Sequence, residues 1–239
     1  MTQTLKAVFF DLDDTLFDHR HSLQQGIAAV HAAYPSLHHV SCADLTATYL
    51  SLIEHWHHQV MVGMLTLEGA RRERFRDVFA RYGQQITVDD ALGAAAIYRT
   101  AYQQTRQLVP GARALVEALR ADGVCIAIIT NSEVKEQHDK LRHLEMLRLI
   151  DVLIISEEVG VPKPQPQIFE TALARTRCAP NEVVMVGDAW LNDIVGATNV
   201  GIRAVWLNRF GDVCPNAALA REITALEPCE HVLALLLYG

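Results

Sequence analysis

Five short, nearly continuous apolar runs punctuate this chain: LKAVFF (5–10), VCIAIIT (124–130), VLII (152–155), EVVMVG (182–187) and IRAVWL (202–207). None alternates apolar with polar residues as a strand with one wet face does, so each suits a strand covered on both sides, as in a parallel sheet. Between the later runs lie helical patterns, GARALVEALRAD, EVKEQHDKLRHLEML, QPQIFETALARTR and AWLNDIVGATNV. Strand and helix thus alternate from residue 108 onward, which predicts an α/β fold, a doubly wound parallel sheet. The interval behind the first run is different. Residues 17–107 hold HSLQQGIAAVHAAY, CADLTATYLSLIEHWHHQVMV, LEGARRERFRDVFARYG and VDDALGAAAIYRTAYQQTRQ, with no strand among them. They are read as an inserted four-helix bundle on a chain that rejoins the core near Pro110 and Gly111. The expected organisation is an α/β core from 1–16 and 108–239, with the helical insertion at 17–107.

Composition narrows the function. A formal net charge of −7 provides no electrostatic footprint for a polyanion, so nucleic acid is not an expected partner. No apolar stretch reaches the roughly 18 residues of a membrane span, and the closing VLALLLY is read as a short amphipathic helix. The polar start MTQTLK runs directly into a strand with no room for a signal peptide, so a cytoplasmic protein, monomer or homodimer, is expected. Five scattered cysteines without C-x-x-C spacing suggest free thiols, neither a disulfide framework nor a zinc site.

Open parallel sheets bind ligands beyond the carboxyl ends of their strands. Here those ends are polar. The first run leads into Asp11, Asp13, Asp14 and Thr15, the second into Thr130, Asn131 and Ser132, and the fourth into Gly187 and Asp188, with Asp193 five residues on. Lys163 stands in the proline-stiffened GVPKPQPQIF between the last two. Singly these are ordinary: aspartates bond backbone amides in turns, Thr-Asn-Ser caps helices, and a loop lysine is usually solvated. On one rim they are not. Two unit charges about 4 Å apart repel by on the order of 4 kcal/mol at an effective dielectric near 20, so several carboxylates together require a positive partner. An all-oxygen ligand set favours Mg²⁺, and Lys163 offers a second, fixed positive charge.

The set resembles the haloacid dehalogenase-like (HAD) hydrolase superfamily, whose signature is D-x-D-x-T, then Thr or Ser, then Lys, then G-D-x-x-x-x-D. In this chain these are Asp11-Leu12-Asp13-Asp14-Thr15, Thr130-Asn131, Lys163, and Gly187-Asp188 through Asp193. The resemblance implies a Rossmann-like core with a helical cap of the first type that selects substrate, and Mg²⁺-dependent hydrolysis of a small phosphorylated metabolite through an aspartyl-phosphate. It implies Asp11 as nucleophile, kept ionised by Mg²⁺ and Lys163, and Asp13 as general acid and then base, its carboxyl raised relative to that of Asp11. Thr130 and the amide of Asn131 would bind the phosphoryl oxygens together with Lys163. Mg²⁺ would be held by Asp11, the backbone carbonyl of Asp13, and Asp188, with Asp193 either near the metal or orienting the lysine. Asp14 takes no family role and is read as a turn carboxylate. A dehalogenase of the same family needs no acid for a halide leaving group, so Asp13 argues for phosphate. A phosphomutase stays open, and a catalytically silent binding module would show a damaged motif, which this chain does not. The stretch NVGIRAVWLNRFG (199–211) is similar to a branch that includes pyrimidine nucleotidases and acylneuraminate phosphatases.

The insertion carries fewer signals. His55, His57 and His58 do not share one helix face, so a mixed packing and surface role is expected. Arg71, Arg72, Arg74 and Arg76 interleave with Glu68, Glu73 and Asp77, which predicts a solvated, ion-paired face with Glu68 pairing Arg72. Trp190 is expected either to wall the pocket mouth or to pack on the sheet.

Overall fold

The computed structural model describes residues 5–238; the start of MTQTLK and the side chain of His57 lie outside the described residues. The chain opens with strand β1 (Ala7–Phe10), buried at every position. It then enters four helices, α1 (His19–Ala33), α2 (Cys42–Met61), α3 (Leu67–Arg81) and α4 (Val88–Gln104). It returns through α5 (Ala112–Ala121), β2 (Cys125–Thr130), α6 (Val134–His143), β3 (Val152–Ile155), the short α7 (Ser156–Val159) and α8 (Pro166–Thr176). β4 (Val183–Gly187) follows, then a π-helical turn (Trp190–Val195), α9 (Gly196–Asn199), β5 (Arg203–Leu207), β6 (Arg221–Ile223) and α10 (Cys229–Tyr238).

All six strands are parallel, in the order β3-β2-β1-β4-β5-β6. Alternate strand residues serve opposite faces. Ala7, Phe9, Ala127, Ile129, Met185, Ala204 and Trp206 join one core with Ile168, Phe169 and Ala172 of α8. Their neighbours Val8, Phe10, Ile126, Ile128, Val184 and Val186 are equally buried, which is why the runs lack alternation. This is the α/β sheet that the apolar runs predict. Two local readings differ. AWLNDIVGATNV is not one helix but a π turn followed by α9. The edge strand β6 has no apolar run to announce it, because its three residues Arg221, Glu222 and Ile223 are largely exposed.

Contacts divide the chain into two compact units, one running to Asp18 and resuming at Gln107, the other His19–Arg106. Phe17 and Asp18 belong with the sheet because Phe17 bridges to Asp13 and to Leu108, and the amide of Asp18 donates to the carbonyl of Gln107 at 3.0 Å. In the helical unit, side-chain caps start three helices: Ser41 accepts from the amide of Asp44, Thr66 from that of Gly69, and Thr87 with Asp90 forms a reciprocal capping box. Tyr49, Phe75 and Tyr98 pack at centroid separations of 5.0–5.6 Å. The expected solvated arginine face is only partly so. Arg76 and Arg72 pair with Glu73, at 3.0 and 2.6 Å, and Glu68 is not Arg72's partner. Arg74 turns inward, is 6% exposed, and donates to the Tyr49 hydroxyl while lying over its ring. Among the described residues no helix is long and apolar enough to cross a membrane.

Candidate active site

Chain direction across the sheet reverses at β1, whose neighbours are β2 and β4, and such a switch point leaves a crevice at the carboxyl ends. Phe10 lies level with both Ile128 and Val186, so the residues past these strands arrive together. The amide of Asp11 donates to the carbonyl of Val186 at 2.9 Å. Past Asp11 the chain folds back on itself: the amides of Thr15, Leu16 and Phe17 all reach the carbonyl of Leu12, and Asp14 takes the left-handed conformation, φ 64°. Arg209 covers this turn, donating to the carbonyl of Asp14.

Lys163 is the hub of the buried charges. Its Nζ donates to Asp11 Oδ1 at 2.5 Å, to Asp193 Oδ1 at 2.7 Å and to the carbonyl of Ile129 at 2.7 Å, using all three of its N–H bonds. Its backbone is clamped by Asn131, whose Oδ1 accepts from the Lys163 amide at 2.7 Å and whose Nδ2 donates to the Lys163 carbonyl at 3.0 Å. Asp193, with no exposed surface, accepts from the amide of Ala189 on its second oxygen at 2.9 Å. The π turn that carries Asp193 is of a kind frequent at functional sites. It packs directly on Gly187, where a β-carbon would lie 2.3 Å from Asp193 Oδ2.

Asp188 closes the group. The Trp206 indole donates to its carbonyl at 2.7 Å and Thr15 Oγ1 to its carboxylate at 3.3 Å. Trp190 packs edge-on against the same Trp206, centroids 5.1 Å apart, so it is a packing residue in this arrangement. Carboxylate oxygens of Asp11, Asp188 and Asp193 lie within 4.8 Å of one another.

This crowding shows in the acids themselves. Burial, then the negative charges of Asp193 and Asp13, push the Asp11 carboxyl up to about 7 against the pull of Lys163. Burial and the charges of Asp11 and Asp193 hold Asp188 well above the usual carboxylate range. For Lys163, burial works against the charge, yet Asp11 and Asp193 outweigh it and raise its ammonium above the ordinary lysine value. For Asp11 the effect of burial outweighs the pull of Lys163.

Asp13 has a separate environment. Lys140 Nζ donates to both of its carboxylate oxygens, at 2.6 and 2.9 Å, and Gln137 Nε2 donates to Oδ2 at 3.1 Å. The same Nε2 reaches Thr130 Oγ1 at 2.7 Å. Gln137 and Lys140 come from α6, one turn apart, and the sequence alone does not single them out. Their signal there is no more than an i, i+3 spacing on the helix that follows Thr130. The structure thus gathers Asp11, Lys163, Asp188 and Asp193 in one cluster, and ties Asp13 to Thr130 in another.

Residues 5–201 match the family described as haloacid dehalogenase-like hydrolase. The chain is 32% identical over 211 residues to a glyceraldehyde 3-phosphate phosphatase of Pyrococcus furiosus, covering 84% of this chain and 80% of that protein. It is 41% identical over 101 residues to the pyrimidine 5'-nucleotidase YjjG of Escherichia coli, 42% of this chain and 44% of that one. The fold is shared with the HAD hydrolase YfnB of Bacillus subtilis, solved bound to magnesium, at a TM-score of 0.78 and 23% identity over 96% of this chain and 99% of the other. With its motif residues gathered at the switch point of a parallel sheet, the chain belongs to the haloacid dehalogenase-like hydrolases.

Proposed function

We propose that this protein is a Mg²⁺-dependent phosphatase that hydrolyses a small phosphorylated metabolite through an aspartyl-phosphate on Asp11. The observation that carries this reading is the division of the acids: Asp11 sits on Lys163 among the buried carboxylates, while Asp13 is bound by Lys140 and Gln137 of α6.

Two carboxyls raised by burial and mutual repulsion, in an all-oxygen set, fit a hard divalent cation. Asp11, Asp188 and the backbone carbonyl of Asp13 would hold it. Both oxygens of Asp193 are already engaged by Lys163 and Ala189, so Asp193 serves by orienting the lysine. Bound there, Mg²⁺ supplies charge neutralisation for the phosphoryl group and keeps the carboxylates ionised.

In the first step an Asp11 oxygen attacks phosphorus, the bond from phosphorus to the leaving oxygen breaks, and Asp13 gives that oxygen its proton. Lys163, through its charge, and the amide of Asn131 stabilise the phosphoryl oxygens. Thr130 also faces them: its Oγ1 accepts from Gln137, leaving its own hydrogen for a ligand. In the second step water attacks the aspartyl-phosphate, Asp13 takes its proton, and phosphate leaves with Asp11 restored. The presence of Asp13 supports phosphate over halide as the leaving class.

The helical unit is assigned to substrate selection. A relative matched across most of the chain is named for glyceraldehyde 3-phosphate, and the nucleotidase matches less than half, so a small sugar phosphate is the favoured substrate class. Phosphate release from a panel including glyceraldehyde 3-phosphate, pyrimidine nucleotides and phosphoglycolate, with Mg²⁺ and with a chelator, tests both statements. Metal-dependent release with the highest kcat/KM on a sugar phosphate is expected. Full activity in the chelator overturns the metal reading, and preference for a nucleotide overturns the substrate class.

A further inference from the structure

We propose that Lys140 and Gln137 are positioning residues that hold the Asp13 side chain in its working place and couple it to Thr130, a role that rests on the phosphatase reading above.

Lys140 is a buried cation whose surroundings leave its ammonium few places to go. It is 4% exposed, spans both oxygens of Asp13, and lies 5.1 Å from the centre of the Phe17 ring on the turn that follows. An ammonium on both oxygens of a carboxylate restricts its rotation more than a single hydrogen bond does. Phe17 bridges to Asp13 through the backbone, so the turn and the lysine grip the same residue.

Gln137 adds the link. With no exposed surface, it divides one amide nitrogen between Asp13 Oδ2 and Thr130 Oγ1, while its own Oε1 is buried without a partner. An unsatisfied buried carbonyl costs stability, and the arrangement keeps the nitrogen aimed at the two groups that face the reacting phosphoryl. Because α6 carries both donors, a shift of this helix moves the acid and the phosphate-binding hydroxyl together.

A structural role alone would lower stability without depending on Asp13. The test is a double-mutant cycle of Lys140→Met with Asp13→Asn, with Lys140→Arg and Gln137→Leu alongside, read with p-nitrophenyl phosphate and with an alkyl phosphate. Lys140→Met should lower kcat on the alkyl ester by about a hundredfold, the scale of a misplaced reacting group, with KM within about twofold. The loss should be smaller in the p-nitrophenol burst, where no acid is needed. In the Asp13→Asn background the added Lys140→Met should change kcat by less than about twofold, and Lys140→Arg should restore part of the single-variant loss. An equal loss with and without Asp13, or a change in KM alone, overturns the proposal. Crystal structures of wild type and Lys140→Met provide a readout that needs no turnover. Asp13 should be ordered on Lys140 in the first and change rotamer in the second. An unchanged Asp13 rotamer in Lys140→Met rejects the positioning role even if the chain proves not to be a phosphatase, whereas an absence of phosphate release from wild type rejects that reading separately.

Discussion

Gly187 and Asp193 are in direct contact: a β-carbon on residue 187 would stand 2.3 Å from Asp193 Oδ2. The glycine ends β4 so that the carboxylate can lie flat against the strand and reach both Ala189 and Lys163. Gly187→Ala should therefore displace Asp193, costing about 1–3 kcal/mol in urea unfolding as overpacking does. It should also lower kcat at least about tenfold through the misoriented lysine. Wild-type turnover in Gly187→Ala would show that the seat of Asp193 has no bearing on the chemistry.

Lys163→Ala removes a cation that pairs two buried carboxylates, Asp11 and Asp193. Leaving such charges uncompensated costs about 3–5 kcal/mol, and losing one electrostatic stabiliser lowers kcat by at least about a hundredfold. Both effects are expected, measured by denaturant unfolding and steady-state kinetics. A change confined to KM would mean that Lys163 only holds substrate.

Asp11→Asn and Asp13→Asn should fail differently. Without Asp11 no aspartyl-phosphate forms, so every ester should be inert. Without Asp13, p-nitrophenyl phosphate should give a burst of p-nitrophenol followed by slow turnover, with phosphate trapped on Asp11 as a hydroxylamine-labile mass addition. Alkyl esters should show no burst. Phosphoenzyme in Asp11→Asn, or normal rates on alkyl esters in Asp13→Asn, would exchange or remove the assigned roles.

The raised carboxyl of Asp11 sets a sign for pH. Between 3.8 and about 7 the folded, metal-free chain keeps a proton that the unfolded chain has shed. Its contribution to stability therefore falls as pH rises through this window and levels off above it. Asp188 acts in the same direction, while the raised Lys163 contributes only in the alkaline range, above the window. Mg²⁺ must displace the protons that Asp11 and Asp188 retain, so its affinity should rise by at least about tenfold per pH unit through this window. Calorimetry in buffers of different ionisation enthalpy should detect proton release on Mg²⁺ binding at about pH 6. Affinity independent of pH would remove these acids from the ligand set.

The apolar runs were sufficient to specify a parallel sheet, because a strand buried on both faces writes its burial directly into composition: Val8 and Phe9 point to opposite faces, and neither is exposed. Asp11, Thr130 and Asp188 were legible for the same reason, since the end of an apolar run marks the rim of the sheet. Periodicity records that a residue is buried, however, and not which polar group it meets there. Arg74, placed on a solvated face by its charged neighbours, packs on Tyr49. β6 was hidden because pairing at a sheet edge needs backbone hydrogen bonds and no apolar side chains. Asp13 and Lys140 are 127 positions apart, and only the docking of α6 against the turn after β1 brings them together. The choice of Asp193 as the partner of Lys163 was likewise decided by the π turn that seats it on Gly187, a close approach that exists only once the two segments are packed.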